Sequence, residues 1–293
     1  MNFRPLFIFI LLLVGFAGRA QDFHYPSIPD SIRNREERIH YMALHFWEYS
    51  DVNNMNLYSH PKWMLDYLYL LRNMEREKVR EALDIFMARI CHNDEALEMT
   101  MFVLDECLRN ASSPHYNEEL YLQVLDAVLA SEADTLMKLK PKSQREVLLR
   151  NRIGNVAENF CFVNCRGDTQ CLYQIKSPWL LLFFNNPECS LCEEAEQKIL
   201  ESEQLIAMQQ KGKLKILAIA LDTDERVWLG KKYPKDWIAG RDKEHVIYAQ
   251  KLYDIQRLPC FYLLDEEKRV VIKEADVNDI LGQLAEGVYN VNE

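Results

Sequence analysis

The sequence predicts an α+β chain of two domains, an all-α front half followed by an α/β half with a mixed central sheet. Three observations predict it. Up to about residue 150 the apolar side chains recur at helical spacing, and no stretch alternates as a strand does. After Gly154, short apolar runs bounded by turn residues alternate with amphipathic stretches. Finally, Cys189-Ser190-Leu191-Cys192 stands between the apolar run 179–184 and the charged stretch Glu193-Glu194-Ala195-Glu196. At 293 residues the chain is long enough for two such cores. The expected division is 1–20 as a signal peptide, 21–151 as the helical domain and 152–293 as the α/β domain.

In the leader, Arg4 supplies positive charge, 6–14 is an apolar core, and Ala17-Gly18-Arg19-Ala20 ends in the small residue a signal peptidase needs. The apolar run is short for a membrane-spanning helix, which weighs against an uncleaved anchor. No cysteine precedes Cys91, so none follows the leader to carry a lipid. Cleavage after Ala20 and a periplasmic or envelope location are expected. Cleavage removes two arginines and no acid, moving the net charge from −10 to −12. An acidic chain without a basic run suits neither nucleic acid nor an anionic membrane. Its eight cysteines would meet an oxidising compartment, where thiols pair.

Taking the elements in order, Ser31 is expected to cap a helix with Ile32, Ile39, Ala43 and Phe46 on its apolar face. Met64, Leu68 and Leu71 mark the next, and Val79, Leu83, Phe86 and Ile90 another, ending at His92-Asn93-Asp94. Leu97, Met101, Leu104 and Leu108 follow, then Tyr121, Leu125 and Val128, then a helix through Val147 and Leu148. Five or six antiparallel helices are the simplest packing. Residues 160–163 and 171–173 flank Arg166-Gly167-Asp168 as a hairpin. The strand 179–184 and the cysteine-bearing helix come next, then a strand 214–221 with Asp222-Thr223-Asp224 capping a helix towards Leu229. A loop with Pro234, Trp237 and Gly240 leads to a helix over 245–253. Strands 261–264 and 270–273 are joined by Asp265-Glu266-Glu267-Lys268, and a last helix starts near Asp276.

The dithiol carries the chemistry. A thiol at a helix N-terminus feels the positive end of the macrodipole, which favours the thiolate. The two-residue spacer lets the second sulfur reach the first within one turn, which is the geometry of thiol–disulfide exchange. Glu188, Glu193 and Glu194 oppose the dipole by like-charge repulsion, so a reductase or isomerase follows more naturally than a disulfide donor. Cys189 is the expected nucleophile and Cys192 the resolving thiol.

The second half resembles a TlpA-like thioredoxin-fold thiol–disulfide oxidoreductase. The features that carry this are the Gly154…Phe160-x-Phe162…Gly167…Leu172 hairpin, the apolar strand, Cys189-x-x-Cys192, the second strand and Leu258-Pro259 before the last hairpin. The resemblance implies a cis-proline at Pro259 facing the dithiol, with Leu258 and Pro259 on the substrate-binding side. Together with the helical front it is similar to a group of Gram-negative envelope proteins whose front domain has no assigned activity. This chain departs from the pattern at several points. Glu188 stands where tryptophan is usual, Ser190-Leu191 replaces Gly-Pro, and Cys260 follows the proline where threonine is common. Phe183 stands where thioredoxins place a buried aspartate, leaving Glu193, Glu194 or Glu196 as substitute proton acceptors.

Other readings stay open at this level. Cys161-x3-Cys165 with Cys189-x2-Cys192 offers four thiolates to zinc, although neither the spacing nor the setting is that of a common zinc site; no metal or other cofactor is expected. Cys161 and Cys171 bridge if their strands are in register, leaving Cys165 as an exposed odd thiol. Cys91 and Cys107 lie near apolar helix faces, and Cys260 is a buried strand cysteine or a third redox thiol. The six cysteines outside the dithiol allow fifteen full pairings, among which sequence does not choose. Phe46, Trp47, Tyr58, Trp63, Tyr67 and Tyr69 are core at helical spacing or a groove for an unfolded substrate. His40, His45, His60 and His92 lack metal spacing, and His245 is a surface residue. The expected partners are protein thiols or disulfides and a membrane reductant or other thiol that recycles the dithiol. The rival is a redox-inert binding module with a structural disulfide. A peroxidase lacks its Pro-x3-Thr-x2-Cys sequence here.

Overall fold

Six helices build the first half because each carries an apolar stripe that must be covered. A computed structural model of the chain describes residues 23–59, 62–273 and 277–289; the expected signal segment, His60 and Asp276 lie outside them. The helices are α1 (Arg35–His45), α2 (Lys62–Arg72), α3 (Arg76–Ile90), α4 (Asp94–Leu108), α5 (Glu118–Ala130) and α6 (Leu139–Leu148). None of the helices among the described residues is long and apolar enough to cross a membrane. Asn34, not Ser31, caps α1: its side chain accepts the N–H groups of Glu36 and Glu37. Ser31 misses the cap because Pro29 first takes the chain through a turn, its carbonyl accepting the N–H of Ile32 at 3.0 Å. Asn93 and Asn117 cap α4 and α5 in the same way, accepting from Ala96 and Leu120. The stripes meet in one core where Phe46, Trp47, Tyr67 and Phe86 stack and cross, Trp47 and Phe86 with centroids 4.9 Å apart. Of the six aromatics singled out in sequence, Tyr69 alone is exposed.

The second half is a seven-stranded mixed sheet in the order β2-β1-β5-β4-β3-β6-β7. Its strands are β1 (Cys161–Val163), β2 (Thr169–Cys171), β3 (Trp179–Asn185), β4 (Leu214–Ala220), β5 (Ile238–Arg241), β6 (Cys260–Leu264) and β7 (Val270–Lys273). β3, β4 and β5 run parallel, while β6, β7, β1 and β2 join antiparallel. Alternation along β3 divides the core. Leu180, Leu182 and Phe184 pack on one face with Phe160, Phe162 and Tyr253. Leu181 and Phe183 pack on the other with α7 (Ser190–Glu201), α8 (Glu203–Gln210) and α11 (Val277–Tyr289).

Several local expectations change. β5 lies inside the segment read as a loop, and Gly240 is its reason: a Cβ there would sit 2.1 Å from Cδ2 of Phe162 on the sheet face. Residues 172–174 form a 3-10 turn rather than strand, so the second hairpin strand runs earlier. The helix expected over 245–253 shortens to α10 (Val246–Ala249), opened by Asp242, whose carboxylate accepts the N–H groups of Val246 and Ile247. Between β4 and β5 the expected helix forms as α9 (Glu225–Gly230). Cys161 and Cys171 face each other in register and are joined by a disulfide; Cys165 is exposed and free. The four-thiolate zinc alternative fails here, since a disulfide sulfur is no ligand.

Charged groups lock the halves together. Arg109, after α4, grips Asp254 through Nε–Oδ2 (3.2 Å) and Nη2–Oδ1 (2.5 Å), with the side chains 16% and 5% exposed. Lys273 on β7 pairs with Glu118 on α5. Asn151 Nδ2 donates to the carbonyl of Leu252 at 2.7 Å.

Candidate active site

β3 delivers the chain to the dithiol through a turn built by two asparagines. Asn185 Nδ2 donates to the carbonyls of Phe183 and Ile219. Asn186 Nδ2 donates to the carbonyls of Leu221 and Asp222, and its Oδ1 accepts the N–H of Glu188 at 2.9 Å. The end of β3 is thereby tied to the end of β4, and the direction in which α7 leaves is set. Cys189 is the N-cap of α7: its Sγ accepts the N–H of Cys192 at 3.2 Å, and its carbonyl accepts that of Glu193 at 3.1 Å. The nucleophile position therefore holds a free thiol at the positive end of a 12-residue helix.

Cys189 is half-buried and Cys192 buried, 3% exposed. Leu258 and Pro259 come to the same place: the Cys189 thiol points at the Leu258 carbonyl at 3.9 Å, and the Leu258–Pro259 bond is cis. The four residues named from sequence thus share one site. Cys260 begins β6 behind them, buried, its thiol pointing at the Asp254 carbonyl at 4.0 Å.

Phe183, at the position of the missing carboxylate, stacks on Phe261 at 4.8 Å and joins Cys192 in one apolar cluster. That burial pushes the Cys192 thiol up to about 12; the neighbouring Cys189 adds to the rise, and the Lys231 cation opposes it. Of the candidate proton acceptors, Glu193 and Glu194 are exposed. Glu196 turns inward, one turn beyond Cys192, and pairs with Lys231 at 2.7 Å, the side chains 12% and 22% exposed. Tyr233 lies beside this pair and donates its hydroxyl to Asn185 Oδ1 at 2.7 Å. Burial raises the Tyr233 phenol, and the charge of Glu196 raises it further. Lys231, Tyr233 and the two asparagines escaped the sequence reading, because they converge from segments with no shared motif. The adjacent charges Lys231-Lys232 just after α9 are the one signal that could have flagged a counterion. Among the described residues no group of three or more His, Cys, Asp or Glu side chains stands together as a metal ion needs.

Comparison with solved structures decides the family. A thioredoxin-like protein from Bacteroides caccae is 31% identical, with 89% of this chain and 96% of that chain covered at a TM-score of 0.72. This chain belongs to the thioredoxin-like proteins. Shorter chains cover about half of this thioredoxin-like protein. One is the C-terminal domain of an uncharacterized protein from Bacteroides fragilis (36% identity, 46% of this chain and 98% of that one, TM-score 0.45). Another is the thioredoxin domain of a thiol-disulfide oxidoreductase from Bacteroides vulgatus (21%, 47% and 98%, 0.40). Residues 14–151 match a family described as a domain of unknown function, DUF5106. No curated protein matches. The fold of this chain is thioredoxin-like, with a helical region of unassigned activity in front.

Proposed function

We propose that this thioredoxin-like protein is an envelope thiol–disulfide oxidoreductase of reductase or isomerase type. The observation that carries the reading is the asymmetry of the dithiol: an accessible N-cap thiol, Cys189, beside a buried thiol that keeps its proton. The Cys189 thiolate attacks one sulfur of a substrate disulfide, forming a mixed disulfide and expelling the other substrate sulfur as a thiolate, which takes up a proton. Cys192 then gives up its proton and attacks Cys189 Sγ. The first substrate sulfur leaves as a thiol, and Cys189–Cys192 closes as a disulfide. Two electrons pass to the substrate, and a membrane reductant or another thiol partner returns them. Glu196, held by Lys231, is the inward carboxylate of the helix and the group best placed to take the Cys192 proton. The leader and the closed Cys161–Cys171 bridge suit an oxidising location outside the cytoplasm.

The rival reading, a binding module with a structural dithiol bridge, is favoured by Phe183 in place of a buried carboxylate. A redox titration of residues 21–293, with alkylation and mass spectrometry, separates the two. Exchange chemistry gives a reversible Cys189–Cys192 transition between roughly −180 and −270 mV. A pair that stays oxidised until well below about −300 mV is structural.

A further inference from the structure

We infer that the helical half forms one wall of the substrate site: the cleft between its loop after α4 and the loop before β6 seats the polypeptide next to a substrate disulfide and receives an acidic side chain at Arg257. This rests on Cys189–Cys192 being an exchange site. The cleft opens to solvent and is lined by Asn110 and Ala111 from the helical half and by Gln256, Arg257, Pro259 and Cys260 from the other. Pro259 is one residue from Leu258, whose carbonyl lies 3.9 Å from Cys189 Sγ. A chain that presents its sulfur to Cys189 alongside this loop has its neighbouring residues at the mouth of the cleft. In a protein cut back to its sheet half, that mouth would open to water on the far side. Here Asn110 and Ala111 close it.

The wall is built rather than incidental. Arg109 holds Asp254 with two hydrogen bonds, and Asp105 holds Arg109 in turn at 3.2 Å. Gln256 Nε2 donates to the Arg109 carbonyl at 3.1 Å, and Arg257 donates to Ser112 Oγ. Both loops are thus fixed to each other across the cleft, so a ligand meets a preformed surface.

Charge sets the class of ligand. Arg257 is exposed, its hydrogen-bond partner is a hydroxyl, and it meets no carboxylate among the described residues. On the helix side of Cys189 stand the exposed carboxylates of Glu188, Glu193 and Glu194. The dithiol is bordered by positive charge on the loop side and negative charge on the helix side. The complementary substrate is an extended polypeptide whose cysteine has an acidic residue on the cleft side and a basic one on the other.

The test uses the full mature chain and disulfide-linked peptides that differ only in Asp or Lys beside the reactive cysteine. Each rate is divided by the rate with 2-hydroxyethyl disulfide on the same variant, a substrate too small to reach the cleft. The wild type is expected to prefer the Asp peptide, Arg257→Glu to invert that preference by about tenfold through KM, and Ala111→Trp to lower the ratio for both peptides. Unchanged ratios in both variants, with 2-hydroxyethyl disulfide still reduced, overturn the inference and leave the exchange chemistry standing. A ratio that falls in Arg257→Glu with no inversion overturns the charge assignment. A wild type inert towards 2-hydroxyethyl disulfide and both peptides overturns the exchange reading itself, and this inference with it.

Discussion

Iodoacetamide separates the two thiols of the reduced protein at pH 8. Only a thiolate is alkylated, and burial beside Phe183 holds the Cys192 proton to about 12 instead of an ordinary 9.0. At pH 8 this lowers its thiolate fraction, and with it the alkylation rate, by about a thousandfold relative to an ordinary thiol. Because the folded value lies above the ordinary one, the proton is kept through pH 9 to 11, and the rate climbs about tenfold per pH unit across that window. For the same reason the reduced protein loses stability as pH rises from 9 towards 12, since the unfolded chain releases this proton first. The assay is time-resolved alkylation with fragmentation of the peptide that holds both cysteines, using Cys189→Ser to isolate Cys192. Urea should restore the ordinary rate. If folded Cys192 is labelled at pH 8 within about tenfold of a free thiol, the buried, proton-retaining role assigned to it is wrong.

Four further outcomes are expected. Cys192→Ala should accumulate mixed disulfides with substrates, visible as reductant-sensitive adducts on non-reducing gels, and an absence of adducts would count against Cys189 as nucleophile. Lys231→Met removes the cation near Cys192 and strands Glu196, so the pH at which mixed disulfides resolve should rise; an unchanged profile would remove both residues from the proton path. Arg109→Ala leaves Asp254 buried without its guanidinium and should cost about 3–5 kcal/mol in urea unfolding; a cost below about 1 kcal/mol would show the pair to be hydrated. Gly240→Ala drives a methyl into the Phe162 ring and should cost about 3 kcal/mol, with a near-neutral effect showing that β1 can move aside.

The parts of this fold that sequence revealed are those where one local pattern suffices. β3 is a run of apolar side chains buried on both faces, so its length and burial follow from composition alone. The helical stripes of α3 and α4 are equally plain, and their buried residues are the ones periodicity named. β5 was hidden because its four residues contain a glycine, which weakens any strand signal; the need for that glycine comes from Phe162, almost 80 residues earlier. The Cys161–Cys171 bridge required register, which a hairpin sequence with a five-residue turn does not determine. At the site, the dithiol and Leu258-Pro259 were legible as motifs. The groups that surround them were not. Asn186, Lys231, Tyr233 and Arg257 act through contacts between distant segments, and each is an ordinary polar residue in its own neighbourhood.

The closed bridge on the hairpin changes how any bulk redox measurement on this protein must be read. Cys161 and Cys171 lie ten residues apart on the two strands farthest from the dithiol, and they are oxidised while Cys189 and Cys192 are free. Dithiothreitol strong enough to open that bridge releases a loop whose closure contributes about 2–3 kcal/mol, whatever happens at the helix N-terminus. A melting curve or total thiol count taken under reductant therefore mixes the opening of this bridge at one edge of the sheet with any change at Cys189 and Cys192. A Cys161→Ala/Cys171→Ala protein is the background in which a change on reduction belongs to Cys189 and Cys192 alone.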